Sequence, residues 1–262
     1  MPAMPRTLAT VTALVLTAAA AAGCGSSSSS SGDKRDSAVS GTVTVLAAAS
    51  LKEAFTTLAS RFEAAHPGTT VRLSFDASSA LALQINQGAP ADVFASASPT
   101  NMKQVIDTGN AGSSTNFVKN VMEIAVPPGN PAKITSVSEL AKSGVKVALC
   151  QAQVPCGATA QKVLSNAKLT VKPVTLEQDV KATLTKVQTN EVDAGLVYAT
   201  DVRAAGTKVT GIPIPAELNA STEYPIAALS KGPNAAGGQA FLAYVLSPEG
   251  QSVLIADGFE KP

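Results

Sequence analysis

Four times along this chain a helical pattern opens out of a short junction of small, hydroxyl-bearing or acidic residues: "TVLAAASLKEAF" at 44–55, "FDASSALALQI" at 75–85, "QVPCGATAQKV" at 153–163 and "TLEQDVKATL" at 175–184. The first two run out of strand-like segments. Strand and helix patterns alternate from Val43 onward, which predicts an α/β fold with largely parallel sheets. In such a sheet the strand ends gather on one rim, so several junctions of this kind can face a single cleft. Each brings the unpaired N–H groups and partial positive charge of a helix N-terminus, and a cluster of them is a cage of donors suited to an anion.

The alternation has two parts. "TVTVLAAA" reads as a buried strand, and the following helix places Leu51, Ala54, Phe55, Leu58, Ala59, Phe62 and Ala65 on one face before stopping at His66-Pro67-Gly68. "TVRLSF" and "ADVFASA" are further strands, with helices at "SALALQINQG" and "PTNMKQVIDTG". The pattern restarts with helix "SVSELAKS", strand "VKVALC", helices "ATAQKVLSNAK" and "DVKATLTKVQTN", and strands "AGLVYA" and "GIPIP", and it ends in the helical run "GGQAFLAYVLSPEGQSVLIADGF". Long apolar runs near 120–127 and 224–230 bracket the middle third, as expected where the backbone crosses from one lobe to another and returns. The expected organisation is a first lobe at 41–123, a second at 124–228 and a return to the first at 229–262.

Ahead of these lies a different kind of segment. Arg6, the apolar run "LATVTALVLTAAAAA" and the small residues before Cys24 predict an export signal over 1–23. "AAGC" resembles a bacterial lipobox, which implies a lipidated Cys24 followed by a Ser-rich tether over 24–40. The protein is therefore expected outside the cytoplasm, held at the membrane by a lipid anchor alone. Cys150 and Cys156 remain as a pair in an oxidising compartment, open to a local disulfide or to two buried thiols.

Composition narrows the chemistry. With 4% aromatic residues, no Trp and a net charge of +1, nucleic acid is not an expected partner. His66 is the only imidazole and precedes a proline, which disfavours both a zinc site and a Ser-His-Asp triad. Ser165 and Lys168 form an S-x-x-K, but no G-x-S-x-G, S-D-N or K-T-G accompanies it, so an exported serine hydrolase is the distant alternative. No Lys or Arg sits in the junctions at Ser50, Ser78 and Cys156, although Lys52 and Lys181 lie just inside helices. Neutral donors suit a compact, fully ionised anion. A protonated oxyanion also needs an acceptor, for which Asp76 and Asp179 are near in sequence. Each junction keeps a simpler reading: Ser50 and Glu53 have the S-x-x-E spacing of a capping box, and Tyr198 suits a core position.

Taken in order, "AAASL" at 47–51, "FDASSALALQI", "GAPADVFASA" at 88–97, "VPCG" at 154–157, "EQDV" at 177–180, "GLVYATD" at 195–201 and "EYPIA" at 223–227 resemble the molybdate-binding proteins of ABC import systems, over roughly residues 41–262. The resemblance implies a two-lobe periplasmic-binding-protein architecture, two α/β domains joined by a two-crossing hinge, and a binding protein rather than an enzyme. It implies molybdate or tungstate as ligand, held by hydroxyl and backbone N–H of Ser50 and Ser78, backbone N–H of Cys156 and Val180, and the Tyr198 phenol. Cys156 stands where a small residue, often Ala, is the family habit. No cofactor or directly coordinated metal is implied, and the partners are the molybdate dianion and a membrane ABC permease, with the protein a monomer. Sulfate or phosphate on the same fold is the alternative ligand.

Overall fold

The computed structural model describes residues 39–262. The expected export signal, Cys24 and the tether up to residue 38 lie outside the described residues. Val39 and Ser40, the last residues of that tether, are bonded to the body: their carbonyls accept from Thr69 Oγ1 and Asn234 Nδ2 at 2.8 and 2.9 Å.

The chain runs β1 (Gly41–Ala48), α1 (Lys52–Ala65), β2 (Thr69–Asp76), α2 (Ser78–Asn86), β3 (Val93–Ala95), α3 (Pro99–Asp107) and β4 (Thr115–Val126). It continues with β5 (Val147–Cys150), α4 (Pro155–Asn166), β6 (Thr175–Glu177), α5 (Val180–Gln188), β7 (Ala194–Tyr198), α6 (Ala199–Ala205) and β8 (Thr210–Pro213). It closes with β9 (Ser221–Ala228), α7 (Ala235–Leu246) and α8 (Pro248–Ala256). The strands follow the order β2-β1-β3-β9-β4-β7-β5-β6, with β8 on β4. β1 pairs in parallel with β2 and β3, and β5 in parallel with β6 and β7.

β4 belongs to two sheets. Its first part, Thr115 to Val121, runs antiparallel to β9, and its last part, from Met122, runs antiparallel to β7 and β8. β9 in turn pairs with β3, with Val93 opposite Ala228. The result is the two-lobe periplasmic-binding-protein architecture, with the two crossings side by side. By strand pairing, Ser221–Ala228 lies in the first sheet, between β3 and β4. Most of the apolar run at 224–230 falls within β9, a central strand, apolar because both faces are covered.

Hydrophobic periodicity explains most elements. α1 buries Ala54, Phe55, Leu58, Ala59 and Phe62, as its 3.6-residue spacing predicts. It stops where Pro67 cannot continue it and Gly68 takes φ +91°. β1 has core on both sides: Val43 and Val45 pack with Phe55, Phe62 and Phe241, while Leu46 packs with Leu81, Phe94 and Met102. A separate core under the second sheet gathers Ile124, Val147, Val163, Leu184, Leu196 and others, and it includes Ala49 and Ala77 from the first lobe.

The differences from expectation are local. "SVSELAKS" forms only a 3₁₀ segment, Val137–Ala141. β6 is an edge strand whose Leu176 is 54% exposed, so no buried face marks it in the sequence. α6 starts directly at the end of β7, hidden by the apolar run before it. The terminal helical run breaks in two at Ser247, where the serine side chain accepts from Gly250 N–H and Pro248 occupies the first helical position.

Candidate functional site

The rim where β1, β2 and β7 end carries a small, partly open cavity of about 20 Å³, lined by Ser50, Ser78, Cys156, Val180 and Tyr198 together with short backbone segments around them. The structure therefore brings together all five residues singled out as ligand contacts. Ser50 and Ser78 come from the first lobe, and the other three from the second. A space this small suits a compact ion rather than a drug-sized ligand.

Local structure explains why donors face this space. α2 starts after Ala77, α4 after Val154 and the Ala49–Leu51 turn after Ala48, and none of these ends has a side-chain cap. Away from the cavity the pattern is the opposite: α3, α7 and α8 are capped by Ser98, Asn234 and Ser247. An uncapped N-terminus leaves its first N–H groups without partners. α5 is the exception at the cavity: it is capped, Asp179 Oδ1 accepting from Ala182 N–H at 2.8 Å.

Ser50 is not a helix cap. Its side chain makes no bond to a helical N–H, because its Oγ lies 2.8 Å from Tyr224 Oη. Glu53, the other half of the apparent capping box, turns instead to Lys181 at 2.8 Å. Ser78 is fully buried, and its Oγ accepts from Ala97 N–H at 2.8 Å. Tyr198 is buried at the end of β7 with no hydrogen-bond partner for its Oη among the described residues. Burial pushes its phenol well above the usual range, so the group stays protonated. A buried hydroxyl without a partner costs about 1–3 kcal/mol, which a ligand oxygen relieves.

Among the described residues no Lys or Arg lines the cavity. The two carboxylates that do, Asp76 and Asp179, each give one oxygen to a backbone amide, Asp76 Oδ1 accepting from Ala77 N–H at 2.7 Å. The nearest cation in sequence, Lys181, is committed elsewhere: its Nζ is 2.8 Å from Glu53 and 2.9 Å from the fully buried Asp201. Burial alone would lower the Lys181 ammonium, but Asp201 and Glu53 outweigh it and raise it. Burial likewise raises Asp201, against the opposing pull of Lys181. This bridge between α1, α5 and α6 was not anticipated from the sequence.

Cys150 and Cys156 are joined by a disulfide, with Cα atoms 5.8 Å apart. Only Cys156 borders the cavity; Cys150 sits beneath it at the end of β5, 3.2 Å from Thr183 Oγ1. Closing so short a loop removes about 2 kcal/mol of unfolded-state freedom in the chain-entropy view. Cys150→Ser with Cys156→Ser is therefore expected to lower stability to chemical denaturation by about that amount; unchanged stability would show that the turn is held without the bond. The S-x-x-K pair lies elsewhere: Ser165 and Lys168 are exposed at the far end of α4, and His66 stacks on Phe62 at 4.1 Å.

Comparison with known proteins gives concordant findings. The family description "bacterial extracellular solute-binding protein" matches residues 43–260. The molybdate-binding protein ModA of Mycobacterium tuberculosis is 40% identical over 222 residues, covering 84% of this chain and 85% of that protein. Among solved structures, the periplasmic molybdate-binding protein of Azotobacter vinelandii superposes with a TM-score of 0.74 at 22% identity, over 84% of this chain and 99% of that one. The sulfate-binding protein SubI of M. tuberculosis superposes with a TM-score of 0.72 at 16% identity, over 84% and 86%. At those identities the two structures are similar to this chain in fold.

Proposed function

This chain belongs to the bacterial extracellular solute-binding proteins, and on that premise we propose that it captures molybdate, and tungstate with it, for an ABC importer. The observation that carries the reading is the cavity: ion-sized, bordered by hydroxyls and uncapped helix ends from both lobes, and without a cationic side chain. A dianion there exchanges hydration for fixed donors. Charge-assisted hydrogen bonds contribute about 1.5–3 kcal/mol each, so a handful exceeds the roughly −8 kcal/mol of micromolar binding. Ser50 and Ser78 with their amides, the amides of Cys156 and Val180, and Tyr198 Oη are the proposed ligand set.

Capture works by closure. We place the first lobe at residues 41–121 and 221–262 and the second between them, with the hinge at the change of sheet in β4 and at the entry to β9. Contacts from both lobes on one anion favour the closed form over the open one. The closed monomer then docks on a membrane permease, and the ligand is passed on unchanged. Cleavage before Cys24 and lipidation of that residue keep the protein at the extracytoplasmic face.

The decisive experiment is a thermal-shift panel of molybdate, tungstate, sulfate and phosphate, because a ligand that binds only the folded state raises stability by RT ln(1 + [L]/Kd). Molybdate and tungstate are expected to raise Tm, with sulfate and phosphate far weaker. A larger shift with sulfate or phosphate transfers the reading to that anion. Tyr198→Phe, which among the described residues removes the one buried hydroxyl without a hydrogen-bond partner, is expected to weaken molybdate binding by about 1–3 kcal/mol. Unchanged affinity in titration calorimetry removes Tyr198 from the ligand set.

A further inference from the structure

Behind Ser50 stands a buried chain of polar side chains that the ligand does not reach. Tyr224 in β9, Asn120 in β4 and Thr200 in α6 are all nearly or fully buried. Asn120 Oδ1 accepts from Val121 N–H at 3.1 Å, which fixes the orientation of the amide. Its NH₂ therefore faces the other way, donating to Thr200 Oγ1 at 2.8 Å and pointing at Tyr224 Oη at 3.5 Å.

The direction of the next bond follows by elimination. Tyr224 Oη forms hydrogen bonds with two side chains among the described residues, Asn120 Nδ2 and Ser50 Oγ; Tyr198 Oη lies beside it but outside hydrogen-bond geometry. An amide nitrogen has no lone pair to offer, so of these two hydrogen-bond partners only Ser50 Oγ can accept the Tyr224 hydrogen. Ser50 then receives a hydrogen bond at its oxygen and keeps its own hydrogen for the cavity. Ser78 is set the same way by Ala97 N–H, a backbone group that mutation cannot remove.

We propose that Tyr224, oriented by Asn120, is a positioning residue that fixes the Ser50 hydroxyl as a donor toward the bound anion. The inference rests on the reading that the cavity holds an oxyanion, and it adds a residue that never touches the ligand. Its consequence is selectivity. A fully ionised anion, all acceptor, meets a hydrogen at Ser50, whereas a protonated oxyanion brings a hydrogen of its own to an oxygen already engaged. Without the Tyr224 hydroxyl, Ser50 can rotate to accept, and the distinction weakens.

The test is a double-mutant cycle by titration calorimetry with wild type, Tyr224→Phe, Ser50→Ala and the double variant, using whichever of molybdate or sulfate the wild type binds more tightly. Tyr224→Phe keeps the ring that packs edge-on against Phe117, Tyr198 and Phe259. It is expected to weaken binding roughly tenfold, the effect of one hydrogen bond. In the Ser50→Ala background the same change is expected to matter by less than about twofold, since the effect runs through Ser50. The ratio of affinities for that anion over hydrogen phosphate is expected to fall in Tyr224→Phe. Additive losses, or an unchanged ratio, overturn the positioning role while leaving the anion site standing. A wild type that binds neither molybdate nor sulfate overturns the reading of the cavity itself, and this inference with it.

Discussion

Lys181→Met is expected to lower the stability of the ligand-free protein by about 3 kcal/mol at pH 8, the low end of what removing one partner of a buried ion pair costs. Methionine keeps most of the apolar stem and removes only the charge. Asp201 is then left fully buried, 2.9 Å from where the ammonium stood, with its other oxygen on Tyr198 N–H at 3.3 Å. The loss should depend on pH with a definite sign. Burial already raises the Asp201 pKa in the folded protein, and removing Lys181, which opposes that shift, raises it further. A group whose folded pKa exceeds its unfolded value favours the folded state when protonated and loses that contribution as pH rises through the folded pKa. The deficit of the variant should therefore shrink from pH 8 to pH 5 as Asp201 takes up a proton. Denaturation curves at both pH values check this; a deficit of equal size at each would mean that lost packing, not a stranded carboxylate, is responsible. Glu53→Gln is the contrast, since Glu53 is 46% exposed and its half of the bridge is worth less than about 1 kcal/mol.

Gly157→Ala should be at least as damaging, for a steric reason. A Cβ at this position would lie 1.9 Å from Gln151 O, 2.6 Å from Gln151 C and 2.8 Å from Cys150 O. All three are backbone atoms, so no side-chain rotation relieves the clash. The approach is this close because the loop from Cys150 to Cys156 is short and tied at both ends by the disulfide. Overpacking commonly costs 1–3 kcal/mol and occasionally more, and against rigid backbone we expect about 3 kcal/mol or above. The binding defect should exceed what instability explains, because moving Gly157 also moves the Cys156 amide proposed to hold the anion. A melting temperature and a molybdate Kd on the same preparation check both parts. A variant with wild-type values in each would show that the loop yields easily.

Much of the site was legible before the structure because its parts are local. The junction at Ser50 is visible as small residues giving way to an amphipathic helix, and the junction at Ser78 repeats it. The absence of Lys and Arg from these turns is a property of composition, and it already pointed to neutral donors. The simpler local reading of Ser50 and Glu53 does not hold. Their spacing is that of a capping box, but a cap requires only neighbours, and here both side chains found stronger partners in other elements. β6 and α6 escaped notice because an edge strand buries no alternating face and a helix that starts inside an apolar run shows no boundary.

The sequence by itself determined the alternation of strands and helices and their small and hydroxyl-bearing junctions, since each depends on residues a few positions apart. Only the tertiary structure decided what those groups face. Ser50 meets Tyr224 across 174 residues of chain and Lys181 meets Glu53 across 128. Which oxygen accepts, which hydrogen is left over and which carboxylate needs a cation are set by neighbours brought together in folding. The direction of a hydrogen bond is a property of the pair, and no single stretch of sequence contains both members.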